Sequence, residues 1–434
     1  MDPLVLGAIV ILIAMVFLFS GMPIAFALGM TSLVAMFLFM DAYQISVLAE
    51  TVFEGVNDFG MLSIPLFIFM GMIAALTRAG SDLYECFHRW LYKVPGGLGI
   101  GNIGACSIFA ALSGSSIATA AAIGSVAIPA MQARGYDPRL IFGSVGAGGT
   151  LGILIPPSIT MIVYGYLGNV SIGRLFIGGV IPGLMLAGSF IFYIMLWAWR
   201  SPSIAPKLAE RPSWREMLYS LVDAGPSILL ILVVLGSIYA GVATPTEAAA
   251  VGAFFATVIT ICQGQFKWSS FQRCLRSTVC TTAMIGLIMI GAMMVAFALH
   301  VLRVPIALSE AIVVSGMNRY VALAAICVLL FVLGCFIDGM SILIIMTPIL
   351  VALMKTLNFD LVWFGVIFTI NIEISLITPP VGMNLFVLKG TSPSAQMTDI
   401  IRGVMPYVAI LALGIVVMTI WPQTVIWLPA LVMP

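Results

Sequence analysis

The chain has 434 residues, 62% of them hydrophobic and only 8% charged, where a soluble domain carries about 25% charged residues. No aqueous fold hides that much apolar surface, so the solvent for most of this chain is a lipid bilayer. A formal net charge of +1, with the basic residues scattered along the chain, excludes an electrostatic nucleic-acid binder.

Met1-Asp2-Pro3 lacks the basic n-region of a cleaved signal peptide, so the first apolar stretch is expected to stay as a span. Apolar stretches of about 20 residues, the length that crosses a bilayer, then recur from residue 3 to residue 432. Roughly ten to twelve crossings or half-crossings are expected on that length criterion, with no room for a folded aqueous domain. Cys86, Cys106, Cys262, Cys274, Cys280, Cys327 and Cys335 show no CxxC spacing and lie mostly in apolar stretches. They read as small hydrophobes, with no disulfide or metal framework.

Charge sets the expected topology. Asp41, Glu50, Glu54 and Asp58 share a segment without Lys or Arg. Later polar segments carry Arg78, Arg89 and Lys93, then Arg200, Lys207, Arg211 and Arg215, then Lys267, Arg273 and Arg276. By the positive-inside rule the first is extracytoplasmic and the other three are cytoplasmic. The N-terminus is then outside, with two spans before Asp41 and one after it.

The sequence also repeats itself. Residues 149–157 (GTLGILIPP) resemble residues 372–380 (IEISLITPP), with the proline pairs 223 residues apart. The same offset pairs Asp137 with Asp360 and Gly29 with Gly252. It fails at Ile64-Pro65, whose better match, Val304-Pro305, requires an insertion in the second half. The first span runs inward, while its approximate counterpart at 228–240 follows a basic segment and runs outward. The expectation is therefore an all-α polytopic membrane protein of two inverted-topology repeats, the signature of alternating-access transporters.

Four segments read as broken helices. Residues 111–119 (ALSGSSIAT) place Ser113, Gly114, Ser115 and Ser116 inside an apolar stretch, and residues 146–158 couple Gly149 and Thr150 to Ile155, Pro156, Pro157 and Ser158. Residues 336–341 place Ile337, Asp338, Gly339 and Ser341 mid-stretch, and residues 377–384 couple Thr378, Pro379 and Pro380 to Gly382 and Asn384. A helix entering Pro-Pro must break, glycine lets the chain turn back, and a break at membrane depth survives only if buried in protein or lining a cavity. Two hairpins whose tips meet two unwound spans satisfy that condition, and their carbonyls and hydroxyls suit a hard cation such as sodium.

Plainer readings stand beside these. Small residues such as the SGSS run also serve helix packing in membranes, and a proline pair can simply kink a helix. Asp338 and Glu373 are ionisable residues within spans; each is a possible coupling group, as cation ligand or proton carrier, or a structural partner of a broken helix. Glu247, in Thr244-Pro245-Thr246-Glu247, reads as the first turn of a helix. His300 and Arg303 read as snorkelling residues at a span end. An intramembrane hydrolase using a serine of the SGSS run lacks a neighbouring base, since His88 and His300 both lie at span ends and no GxSxG elbow is present. No Walker sequence supports an ATP-driven permease.

At these residues a family resemblance emerges. SIPLFIFMG (63–71), ALSGSSIATAAAIGS (111–125), ILIPPSI (153–159), TPTEAAAVGA (244–253) and NIEISLITPPVGMNLFV (371–387) resemble the large membrane subunit (M subunit, DctM-like) of tripartite ATP-independent periplasmic (TRAP) transporters. Ser375 departs from the family pattern, which more often has glycine there.

The resemblance implies a secondary transporter of the elevator type, similar to the ion-transporter superfamily, in the inner membrane of a bacterium with its N-terminus periplasmic. It implies sodium-coupled uptake of an organic acid such as a C4-dicarboxylate or sialic acid. The implied partners are a small membrane subunit of about four spans and a periplasmic substrate-binding protein. Residues 1–222 then form the first repeat, with scaffold helices at 1–60 and transport-domain helices at 61–199. Residues 223–434 form the second, divided at 224–280 and 281–434.

The resemblance further implies one sodium site at Ser113–Ser116 with Gly149, Thr150, Ile155, Pro156 and Pro157. A second falls at Ile337, Asp338, Gly339 and Ser341 with Thr378, Pro379 and Pro380. The substrate is expected at Ser115, Ser116, Ser158, Gly382 and Asn384. A stand-alone sodium- or proton-coupled carboxylate symporter of the same architecture is the alternative reading.

Overall fold

The computed structural model describes residues 2–41, 43–206, 212–314 and 316–433; Lys207 and Arg211, used above for topology, lie outside the described residues. Among the described residues the chain forms α-helices and short 3-10 turns, with no strand. The first series is α1 (Pro3–Phe19), α2 (Ile24–Phe39), α3 (Tyr43–Val56), α4 (Ser63–Ala74), α5 (Ala79–Trp90), α6 (Gly97–Ser113), α7 (Ser116–Ala133), α8 (Pro138–Thr150), α9 (Ile159–Gly168) and α10 (Ile172–Arg200). The second is α11 (Trp214–Tyr239), α12 (Pro245–Cys262), α13 (Trp268–Val301), α14 (Val304–Val314), α15 (Arg319–Gly334), α16 (Gly339–Thr356), α17 (Leu361–Leu376), α18 (Met383–Thr391), α19 (Met397–Ile420) and α20 (Gln423–Val432).

Helix starts recur at the spacing found in the sequence. Ser116 and Gly339 open α7 and α16, and Pro138 and Leu361 open α8 and α17, each pair 223 residues apart. The caps recur too, because the same residue types accept the orphan N–H groups of a first turn. Ser115 caps α7 as Asp338 caps α16, and Asp137 caps α8 as Asp360 caps α17. Pro156-Pro157 and Pro379-Pro380 are both cis. Glu247 takes the place read from the sequence: Thr244 and Glu247 form a reciprocal capping box at the start of α12. The divisions at 222/223 and 280/281 fall inside the continuous helices α11 and α13.

Among the described residues seven helices are long and apolar enough to cross a bilayer, or eight if α3 and α4, with a bend of 50° at the break between Val56 and Phe59, count as one span. The larger number expected from apolar stretches includes shorter helices, because the chain breaks in the middle of several of them. Outer helices expose apolar side chains, as lipid requires: Phe37 is 86% exposed, Val222 70% and Leu232 63%.

The centre belongs to the two broken helices. Every residue from Leu140 to Thr150 in α8 and from Val362 to Leu376 in α17 is buried. α8 is wrapped by α6, α7 and α19, and α17 by α10, α15, α16 and α19. Between lipid-soluble helices it is close van der Waals packing that holds such an arrangement. At the α8–α19 crossing a Cβ on Gly143 would come 2.4 Å from the Gly403 carbonyl oxygen, so only glycine permits that approach.

Candidate functional site

The first hairpin turns where Gly114 adopts φ 59°, a left-handed conformation that ends α6. Ser115 then caps α7 on the Ala118 N–H. Within this tip the Ser113 Oγ lies 2.7 Å from Thr119 Oγ1 and 3.3 Å from the Ser115 carbonyl oxygen, to which Thr119 donates at 2.8 Å. Two hydroxyls and a carbonyl are thus gathered within one turn of chain, and Ser113, Ser116 and Thr119 are all buried.

That tip sits on the first break. α8 ends at Thr150 and gives way to a 3-10 turn at Leu151–Ile153, the proline pair, and Ser158 at the cap of α9. The Ile159 N–H donates to the Gly114 carbonyl at 3.3 Å. A Cβ on Gly152 would meet the Ser115 carbonyl oxygen at 2.6 Å, and one on Gly114 would meet the Pro157 carbonyl oxygen at 2.8 Å. Gly149 packs on Ala120, and Ile155 is only half-buried, against Gly183 of α10. The Thr150 hydroxyl donates to the Ala147 carbonyl of its own helix at 2.7 Å, and the Ser158 hydroxyl to the Ile153 carbonyl at 2.5 Å; both are turned to the chain itself. One residue of the second half joins this group: Asn384 Nδ2 donates to Ser116 Oγ at 2.7 Å. The Asn384 Oδ1 is buried and makes no hydrogen bond among the described residues.

The second hairpin turns at Ile337 and Asp338. The Asp338 carboxylate accepts from the Ser341 N–H at 2.9 Å and from the Ser341 hydroxyl at 2.5 Å. This tip packs on the end of α17: a Cβ on Gly339 would lie 2.4 Å from Ile372 Cγ2, and one on Gly334 2.2 Å from Ser375 Cβ. Thr378 follows Ser375 by one turn and donates its hydroxyl to the Ile374 carbonyl at 2.5 Å. Pro379, Pro380 and the left-handed Gly382, at φ 37°, lead into α18. Glu373 is fully buried in α17, and neither carboxyl oxygen has a hydrogen-bond partner among the described residues.

The structure therefore gathers Ser113–Ser116, Pro157 and Asn384, and separately Asp338, Gly339 and Ser341 beside Ile372 and Ser375. Three participants escaped the sequence reading. Thr119 and Gly152 lie inside motifs already picked out, and a hydroxyl one turn into a capped helix was the available signal for Thr119. Ser375 stood out only as a departure from the family pattern. A cavity of about 900 Å³ lies elsewhere, between α3, the α9–α10 turn, α13 and α16, where Glu54, Asp58, Tyr166 and His300 line it. None of the expected site residues reaches it. Over it the Tyr166 hydroxyl donates to the Gly55 carbonyl.

Charged side chains gather outside the spanning helices, on α5. Glu85 meets Arg89 at 2.8 Å and His88 at 3.5 Å; the hydrogen-bonded His88, then Arg89, hold its carboxyl down at about 2. Asp82 goes the other way: burial, then the negative charge of Asp223, push it up to about 6 against the pull of Arg78.

Comparison with known proteins places this arrangement. Residues 11–424 match the family model described as the DctM component of the tripartite ATP-independent periplasmic transporter. The chain is 34% identical to the C4-dicarboxylate TRAP transporter large permease protein DctM of Vibrio cholerae, covering 95% of both chains. It is 31% identical to the sialic acid TRAP transporter large permease protein SiaM of the same species, over 95% of this chain and 96% of that one. It is 33% identical to the isethionate TRAP transporter permease protein DctMQ of Oleidesulfovibrio alaskensis, covering 94% of this chain but spanning only 64% of that longer relative. Among solved structures the fold is similar to that of the Alcanivorax borkumensis YdaH transporter, with a TM-score of 0.65 at 15% identity over 94% of this chain and 98% of that one. Neisseria gonorrhoeae MtrF gives a TM-score of 0.62 at 13% identity, with 94% of each chain covered.

Proposed function

The chain belongs to the DctM component family of tripartite ATP-independent periplasmic transporters, and from that premise we propose that it takes up an organic acid by sodium-coupled alternating access. The observation that carries this reading is the seating of each hairpin tip on a helix break: Gly114–Ser115 against Gly152–Pro157, and Asp338–Gly339 against Ile372–Ser375. Oxygen-rich breaks at membrane depth are where transporters hold cations and acids.

Ser113 Oγ, the Ser115 carbonyl and Thr119 Oγ1 supply the hard oxygens of one sodium site, with Gly149, Thr150, Ile155, Pro156 and Pro157 around it; this donor set fits a hard cation. Ile337, Asp338, Gly339 and Ser341, with Thr378, Pro379 and Pro380, supply the other. Asn384, Ser116, Ser115, Ser158 and Gly382 form the substrate side, where the buried Asn384 Oδ1, which makes no hydrogen bond among the described residues, and the α7 and α9 N-termini lie. No Lys or Arg lies in the four broken segments, so bound cations and helix N-termini balance an acidic substrate. That balance makes acid binding depend on sodium.

The reading carries the rest of the expected mechanism: inverted halves, an N-terminus on the periplasmic side of a bacterial inner membrane, and an elevator motion of the two hairpins against α1–α3 and α11–α12. Relatives named for C4-dicarboxylates and sialic acid support that substrate class. A small membrane subunit and a periplasmic binding protein complete the machine. The test is uptake into proteoliposomes holding the chain, its small subunit and its binding protein. Exchange of sodium for choline abolishes uptake on this reading, and undiminished uptake overturns it.

A further inference from the structure

An apolar groove of about 490 Å³ runs between α15, the outer arm of the second hairpin, α17 and α19. On α15 it is lined by Tyr320, Leu323, Cys327 and Phe331, spaced as one helical face. On α19 the facing ridge is Val408, Ile415 and Thr419, and Asn371 and Ile374 of α17 form its floor. Asn371 spends its amide on Cys327 Sγ at 3.5 Å and on the Ile367 carbonyl at 3.0 Å, so the floor offers little to a polar guest.

The length and the charge of this groove select its occupant. From Tyr320 to Phe331 the lining covers about 16 Å of helix at roughly 1.5 Å per residue, close to one leaflet of a hydrocarbon core about 30 Å thick. Its deep end, at Phe331 and Ile374, therefore lies near mid-bilayer. Its other end opens where Arg319 and Tyr320 start α15 and Trp421 follows α19, with Trp421 60% exposed, as aromatic residues do at a membrane interface.

Arg319 is exposed and makes no ion pair among the described residues. It is held over the ring of Tyr320 at 4.9 Å and that of Phe359 at 5.4 Å, and it donates to the Tyr320 hydroxyl at 2.9 Å. A guanidinium fixed by its face keeps in-plane N–H groups for the planar, bidentate recognition of a phosphate. We propose that this groove binds an anionic phospholipid, one acyl chain lying along α15 and α19 and the headgroup phosphate on Arg319. The lipid then fills the seam between the outer arm of the second hairpin and the broken helix it sits on.

Native mass spectrometry of the delipidated full chain, titrated with dioleoyl phosphatidylglycerol and with dioleoyl phosphatidylcholine, tests the proposal. The wild type is expected to retain the anionic lipid about fivefold better, the worth of one arginine at a membrane surface. Arg319→Gln brings that ratio to near one, and Arg319→Lys keeps part of it. Ala412→Trp, at an exposed groove position, lowers retention of both lipids. Equal retention by the wild type, an unchanged ratio in Arg319→Gln, or the same loss in the unrelated exposed variant Arg273→Gln overturns the proposal. So does displacement of the lipid by a co-expressed small membrane subunit, which would put a protein helix in the groove instead.

Discussion

Asn384 and Ser116, 268 residues apart in sequence, are joined by a 2.7 Å hydrogen bond inside the protein, and both side chains are buried. The bond ties the helix that leaves the second break to the tip of the first hairpin. Asn384→Ala leaves the Ser116 hydroxyl buried without that donor, a loss of about 1–3 kcal/mol. A lowered melting temperature is expected, together with at least a tenfold fall in uptake at fixed substrate, read in the same proteoliposomes. Wild-type uptake in Asn384→Ala would remove Asn384 from the substrate side of the site.

Gly152 faces the Ser115 carbonyl so closely that a methyl group must displace the hairpin tip. Gly152→Ala is expected to destabilise by about 1–3 kcal/mol, as overpacking does, and to abolish sodium-dependent uptake. Gly188 of α10 has open space around it, so Gly188→Ala is expected to be neutral or stabilising by about 0.5–1 kcal/mol. Thermal unfolding and uptake of the two variants side by side separate tip packing from a general cost of replacing helical glycine.

Asp338 is both a helix cap and a carboxylate at the second tip. Asn caps as well as Asp, so Asp338→Asn keeps the start of α16 while removing the charge. The expected result is an unchanged melting temperature and a rise of about tenfold in the sodium concentration for half-maximal uptake, the effect of about 1.4 kcal/mol. Asp338→Ala adds a cap loss of about 1 kcal/mol to that shift. A sodium curve identical to the wild type in Asp338→Asn assigns the carboxylate to capping alone.

The carboxyls of α5 predict a pH dependence with opposite signs. Asp82 is pushed up to about 6 from an ordinary 3.8, so the fold favours its protonated form. That contribution is fully present below the unfolded value and is lost as pH rises through about 6. Glu85 is held at about 2 from an ordinary 4.5; its contribution is present above the unfolded value and is lost as pH falls toward 2. Thermal unfolding between pH 4 and pH 7 is expected to show stability declining as Asp82 ionises. Asp82→Asn flattens that decline, and Glu85→Gln preserves it.

The two proline breaks, the 223-residue register that pairs Asp137 with Asp360, and the start of α12 at Thr244–Glu247 were legible in the sequence, because each shows in the local pattern of residues. A left-handed Gly can end a helix, Pro-Pro interrupts one, and Ser, Thr or Asp can cap the start of one. The family followed from the same motifs, since a broken helix at membrane depth tolerates few residue types. Which hydroxyls face the site was not legible. Thr150 and Thr378 satisfy their own helices, while Thr119 joins Ser113, and only side-chain rotamers inside a packed tip decide that. The bond from Asn384 to Ser116, the close seat of Gly152 under Ser115 and the groove beneath Arg319 all join elements far apart in the chain. Sequence spacing carries no information on such contacts; the packing of α8 and α17 at the centre of the fold creates them.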